Sequence, residues 1–339
     1  MDKLLQWSTK IANGEDVDMS SLTYEQQIML KQLLLKDQNS QTYDETTLMK
    51  LNMKIMAMTL QKGVSSDEEF QNRIQASENF LFLIENIDNS SVLAHMKLID
   101  EILVILKNFG TEFKYENYEF LANILEIVGS SCQNNEPLQN DFMKFVTTDE
   151  EDKKVNVSDL IIEIVVNLLK QVNGNSTNKN DVELIISKSF YALSNLIRHH
   201  AKWGKLFFEN ENSLNMIKTT FSLTEQLNSS VKLKLVSLLQ SLLSVSSNND
   251  AACLKFWQNL NIIESISNFI EFNEHNKKIY LIDNSILFIH RLLENNIVSS
   301  ISSETKQQLI SKLDTLKNDK NCWERLNQED FNTLYKSLA

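Results

Sequence analysis

Residues that could do chemistry are sparse in this sequence, and each has a plainer reading. His199 and His200 are adjacent, so on a helix they point different ways, and no Cys or carboxylate stands at ligand spacing from them; the pair reads as a polar corner rather than a metal site. Cys132, Cys253 and Cys322 are odd in number and widely spaced, with no C-x-x-C pair, which fits reduced thiols in a cytosolic compartment. The acidic run Asp149-Glu150-Glu151-Asp152 reads as a solvated loop, not a catalytic carboxylate pair. Asn89-Ser90-Ser91, Asn156-Val157-Ser158, Asn175-Ser176-Thr177 and Asn228-Ser229-Ser230 match glycosylation sequons, a frequent coincidence in an Asn/Ser-rich chain. There is no P-loop, dinucleotide fingerprint, Gly-x-Ser-x-Gly elbow or His-Glu-x-x-His helix. Catalysis by this chain is not expected, and neither a cofactor nor a metal is called for.

What remains is a pattern suited to binding. In Phe190–Phe208, Leu193, Leu196 and Ile197 form an apolar helical stripe, with Ala192 and Ser194 small enough for close packing. Tyr191 and Asn195 lie four residues apart on the other face, and Arg198 follows one turn on. The stripe stops at His199-His200, and a second short apolar helix opens with Trp203, Leu206, Phe207 and Phe208.

The elements that position these residues read as repeats of that unit. The 339-residue chain has 6 Gly and 1 Pro, where average usage would give roughly 40 of the two together. Long helices joined by polar corners follow, and an all-β or Gly-rich nucleotide-binding fold does not. Corners recur at Asn86–Asn89, Gln133-Asn134-Asn135, Arg198-His199-His200, Ser247-Asn248-Asn249 and Glu294-Asn295-Asn296, in steps of 47, 65, 49 and 47 residues. Two polar inserts, near 147–156 and 173–180, account for the long step. Armadillo and HEAT repeats have periods of about 40–47 residues. The expected fold is all-α, an armadillo/HEAT-like right-handed superhelical solenoid of about four to five repeats. Pro137 supports it, since Asn135 before it can cap a new helix and proline is tolerated in a first turn.

Superposing the corners puts Glu126, Ser130 and Gln133 beside Tyr191, Asn195 and Arg198, with Gln240, Ser244 and Ser247 in the next repeat. Such a polar ladder belongs on the concave side of a solenoid, where broad partners bind. Residues 1–46 read as a flexible N-terminal segment, and 47–339 as the repeat domain.

Charge narrows the partners. With 33 Lys+Arg against 45 Asp+Glu, the net charge is −12, so nucleic-acid and anionic-membrane binding are not expected. The longest apolar stretch, Leu160–Leu169, is broken by Glu163 and Asn167 and is too short to span a bilayer. No signal-peptide core precedes Ile11 and the C-terminus reads Ser-Leu-Ala, so a cytoplasmic protein is expected, and a solenoid of this length is expected to be monomeric.

Several segments carry a resemblance. MDKLLQWS at the start, ENFLFLIENIDN at 78–89, QNNEPLQNDFMK at 133–144 and ALSNLIR at 192–198 resemble, in order, the fungal cytosolic Fes-type nucleotide exchange factors of the seventy-kilodalton heat-shock chaperones. ERLNQEDFNTLYKSL at 324–338 resembles that family's C-terminus more loosely. The resemblance implies an armadillo cochaperone, similar to the metazoan heat-shock-binding exchange factor. Its concave face would embrace one lobe of the chaperone's nucleotide-binding domain, so that ADP leaves and client is released. It implies a contact at Ser90, where the family carries alanine, and the corner residues Gln133 and Asn134 are expected on the same concave binding face. Where the family pattern runs Lys-Leu-Lys-Met-Arg, a further chaperone contact is implied at the arginine; Val236 replaces it here, leaving Lys232 or Lys234 to compensate. It also implies that residues 1–14, through Leu4, Leu5 and Trp7, help clients leave the chaperone. The alternative reading is an armadillo scaffold that binds a peptide or protein partner without exchange activity. Such a groove needs a regular aromatic/Asn array, which only Tyr191 and Asn195 approximate.

Overall fold

Asparagine and aspartate side chains set the helix starts. Asn135, His200, Asn210, Asn228, Asp250, Ser302 and Asp319 each occupy an N-cap and accept a hydrogen bond from a first-turn amide. Asn156 does the same for Asp159, whose carboxylate reaches back to the Asn156 amide at 3.1 Å, a reciprocal cap. Two of the sequon asparagines, Asn156 and Asn228, are thus helix caps. Helix ends have their own device. Asn134, His199 and Asn296 adopt positive φ of 56°, 59° and 52°, the left-handed turn that closes a helix C-terminus. All three lie in corners expected from the sequence.

The computed structural model describes residues 45–57, 67–84, 93, 98–111, 118–143, 146–147, 154–173, 178–270, 277–297 and 301–338. The chain divides into two compact units, Met1–Glu101 and Ile102–Ala339. In the first, α1 (Glu45–Ala57) packs on α2 (Asp67–Ile84), burying Met49, Met53, Met56 and Phe80. The helix α1 begins two residues before the expected domain start at Thr47. A further helix, α3, spans Leu98–Thr111.

The second unit contains α4 (Tyr118–Cys132), α5 (Glu136–Asp141), β1 (Val146–Thr147), β2 (Lys154–Val155), α6 (Val157–Asn173), α7 (Lys179–Ile197), α8 (Ala201–Glu209), α9 (Glu211–Ser222) and α10 (Ser229–Ser244). It continues with α11 (Ala251–Gln258), α12 (Ile262–Ser267), α13 (Lys277–Glu294), α14 (Ser303–Asn318), α15 (Lys320–Trp323) and α16 (Gln328–Leu338). The recurring element is three helices, of which the third stacks on the third of the next repeat. Helices α4, α7, α10, α13 and α16 stack in that order, each on the next. A second layer pairs α6 with α9, α8 with α11 and α12 with α14. This is the expected all-α, armadillo-like solenoid pattern.

Helix α7 is covered on both sides, by α4 and α10, so its core extends almost all round; Phe190, Leu193, Leu196 and Ile197 are fully buried. The second layer is held by an aromatic chain. Phe208 meets Phe256 at 5.2 Å between ring centres, Phe256 meets Trp257 at 5.5 Å, and Trp257 reaches Phe288 at 6.2 Å. One departure from pure helix is the insert near 147–156. Its ends pair antiparallel, Val146 opposite Val155 and Thr147 opposite Lys154, because β-branched residues flank the charged run. Among the described residues, no helix is long and apolar enough to cross a membrane.

Candidate functional site

The exposed edge shared by α4, α7 and α10 gathers much of the expected polar ladder around Tyr191. Its phenol lies 3.4 Å from the Ser130 hydroxyl and donates to Gln133 Oε1 at 3.3 Å. Its ring carries the Lys234 ammonium at 4.7 Å from the centroid, within cation–π range. Gly129 makes room, since a Cβ there would fall 2.5 Å from the ring. Three successive repeats therefore converge on one tyrosine.

Glu126 is part of this edge through a residue that the sequence reading missed. Lys188 pairs with Glu126 at 2.5 Å, both side chains partly exposed. Lys188 lies three residues before Tyr191 and so on the same helical face, the signal by which it could have been found. Leu184, one turn further back, is 41 % exposed and continues the face. The Lys234 ammonium has its pKa lowered, first by burial and then by Lys188 and Arg198, with Glu126 opposing. Lys188 and Lys234 thus share this edge with Glu126, and Arg198 follows at the end of α7.

Asn195 corrects an expectation. It was expected on the exposed stripe, but it is only 2 % exposed, because α7 is sandwiched between two helices and the asparagine back-bonds to the Tyr191 carbonyl at 3.1 Å. Its own carbonyl accepts from Gln139 Nε2 at 2.6 Å, and the Arg198 carbonyl accepts from the same amide at 3.1 Å. Trp203 in turn donates its indole N–H to the Gln139 carbonyl at 2.8 Å, and His200 Nε2 faces Asn140 Oδ1 at 3.1 Å. Two of the resembling segments, QNNEPLQNDFMK and ALSNLIR, meet in this one corner. His200 is a structural residue: Nδ1 caps α8 through the Trp203 amide.

Val236 is likewise not where the resemblance implies a contact. It is fully buried, on the packed side of α10. Lys232 and Lys234 sit on the more open side, Lys232 with its ammonium 5.9 Å from the Phe269 ring. Gln240 faces the next repeat, donating to the Asn284 carbonyl at 3.3 Å. Tyr280, four residues before Asn284 and 67 % exposed, extends that edge and was not anticipated. Gln133 and Asn134 are both exposed at the α4 corner. Ser90, Leu4, Leu5 and Trp7 lie outside the described residues.

Comparison with known proteins adds the identity of relatives. Residues 1–93 match the family model described as nucleotide exchange factor Fes1. The chain is 28 % identical over 337 residues to the Hsp70 nucleotide exchange factor FES1 of Kluyveromyces lactis, covering 98 % of each chain. It is 27 % identical to the protein of that name in Saccharomyces cerevisiae, again with 98 % of each covered. The Candida glabrata protein is 27 % identical, with 98 % of this chain and 97 % of the relative covered. The resemblance read from the sequence is therefore borne out over almost the whole length of the chain, which is similar from one end to the other to the Fes1-type nucleotide exchange factors.

Proposed function

We propose that this protein is a cochaperone that acts as a nucleotide exchange factor on a cytosolic Hsp70. It holds the chaperone's nucleotide-binding domain against the edge of α4, α7 and α10, as the concave face of the stack. The observation that carries this reading is the end-to-end likeness to relatives named for that activity. Support comes from the Tyr191 cluster, where side chains of three repeats are fixed on rigid helices and remain partly exposed. Rigidity matters, because an exchange factor shifts its target only by the difference between its affinities for the open and the ADP-bound forms. Preformed helices spend little of that difference on ordering themselves. The protein works in the cytoplasm as a monomer, and its segment 1–14 assists client release through Leu4, Leu5 and Trp7.

The test is stopped-flow release of a fluorescent ADP from a cytosolic Hsp70. A large acceleration that rises with the concentration of this protein is the expected result. Binding by pull-down without acceleration would replace the exchange reading with that of a scaffold.

A further inference from the structure

At the Tyr191 cluster, Lys188 pairs with Glu126 and Lys234 lies on the tyrosine ring, with Arg198 at the end of the same helix, in a chain of net charge −12. Lys188 and Tyr191 project from one face of α7, Arg198 ends that helix, and Lys234 reaches across from α10 to lie on the tyrosine ring. Glu126 engages Lys188 from α4. Like charges brought together at a partly desolvated edge repel each other, and the arrangement is relieved by a further anion. The exposed Leu184, beside Lys188, gives the same face an apolar margin.

We propose that Lys188, Arg198 and Lys234 form a receiving site for a carboxylate-bearing segment of the partner protein, with Glu126 as its internal stand-in. On docking, Lys188 exchanges the Glu126 carboxylate for one on the partner, while Lys234 and Arg198 meet the same acidic segment. The proposal rests on the exchange-factor reading for the identity of the partner, but not for its chemistry. It makes Glu126 a competitor for the site, opposite in sign to a simple contact residue.

Two titrations test it with the full-length protein. The first measures binding to a nucleotide-free cytosolic Hsp70 at low and high salt. The second measures binding of a fluorescein-labelled peptide of alternating Glu and Ala, with the Gln/Ala peptide as control. Arg198→Gln and Lys234→Glu are expected to weaken both by about tenfold or more at low salt. Glu126→Gln is expected to tighten both by roughly threefold, a gain that loss of fold does not produce. These differences shrink at high salt as screening grows. Hsp70 binding that the three variants leave within twofold of wild type overturns the proposal and leaves the exchange-factor reading standing. Selective binding of the Glu peptide with none of Hsp70 does the reverse. Binding to neither overturns both.

Discussion

Gly129 on α4 and Tyr191 on α7 occupy complementary space: a Cβ on the glycine would stand 2.5 Å from the Cδ1 and Cε1 atoms of the ring and 3.2 Å from the Ala192 backbone. The close approach of α4 to α7 at this point thus seats one partly exposed aromatic. Gly129→Ala should raise intrinsic helix propensity yet lower stability, by about 1–3 kcal/mol from overpacking. It should also weaken Hsp70 binding, by tilting the ring from Ser130, Gln133 and Lys234. Urea unfolding and a binding titration check both. A variant as stable as wild type with unchanged affinity would contradict the seating.

Val236→Arg gives an opposite lesson. A basic residue restored at this position to match a family pattern would enter the core of α10, where the valine is fully buried. An unpaired charge there is expected to cost about 4 kcal/mol or more. Thermal unfolding should show a large drop in Tm, and affinity for the chaperone should not rise. Tighter binding at unchanged Tm would place the side chain at the surface after all.

His200 couples the α7–α8 corner to pH. Burial, the first cause, lowers its pKa, opposed by Glu136 and its own backbone hydrogen bond and assisted by Lys202; Asn140 also faces the ring. Protonation at Nδ1 would also end its acceptance of the Trp203 amide. The folded state thus binds this proton less readily than the unfolded chain. The histidine's contribution is complete above the unfolded value of about 6.5 and declines as pH falls below it. His200→Asn keeps a capping oxygen and removes the titration. Melting curves should show wild type losing stability relative to this variant between pH 7.5 and 5, whereas parallel curves would acquit His200.

Removing residues 1–14 separates the two activities assigned to the chain. ADP release from Hsp70 should proceed at the wild-type rate, and release of a labelled client should slow. Equal effects on both rates would mean that Leu4, Leu5 and Trp7 have no separate role.

The corners were legible because their chemistry is local. Asn135 before Pro137, and Asp250 beside the Ser247–Asn249 corner, cap the helices that follow, and a cap depends on three or four consecutive residues. That Ser130, Gln133 and Tyr191 share one edge was also legible, because a repeat period converts sequence distance into proximity, but their register was not: superposition set Tyr191 against Glu126, and the structure sets it against Ser130 and Gln133. Asn195 and Val236 misled for a shared reason. Amphipathic spacing shows which side of a helix is apolar, but not that α7 and α10 are each flanked by two other helices. A polar side chain such as Asn195 can then be covered, since it satisfies itself on its own helix. Lys188 escaped notice because it lies just before Phe190–Phe208, the stretch read as the repeating unit, though its spacing from Tyr191 placed it on the exposed face.

The small ribbon between α5 and α6 has a consequence for how such a chain changes length. Pairing of Val146 with Val155 and of Thr147 with Lys154 holds the two ends of the insert side by side. The helices on either side therefore do not feel how many residues lie between those ends. Each doubling of that stretch costs only about 0.6 kcal/mol in closure entropy. The ribbon is a splice point, where a sequence of almost any length, or a folded tag, can be inserted without altering the register of the stack.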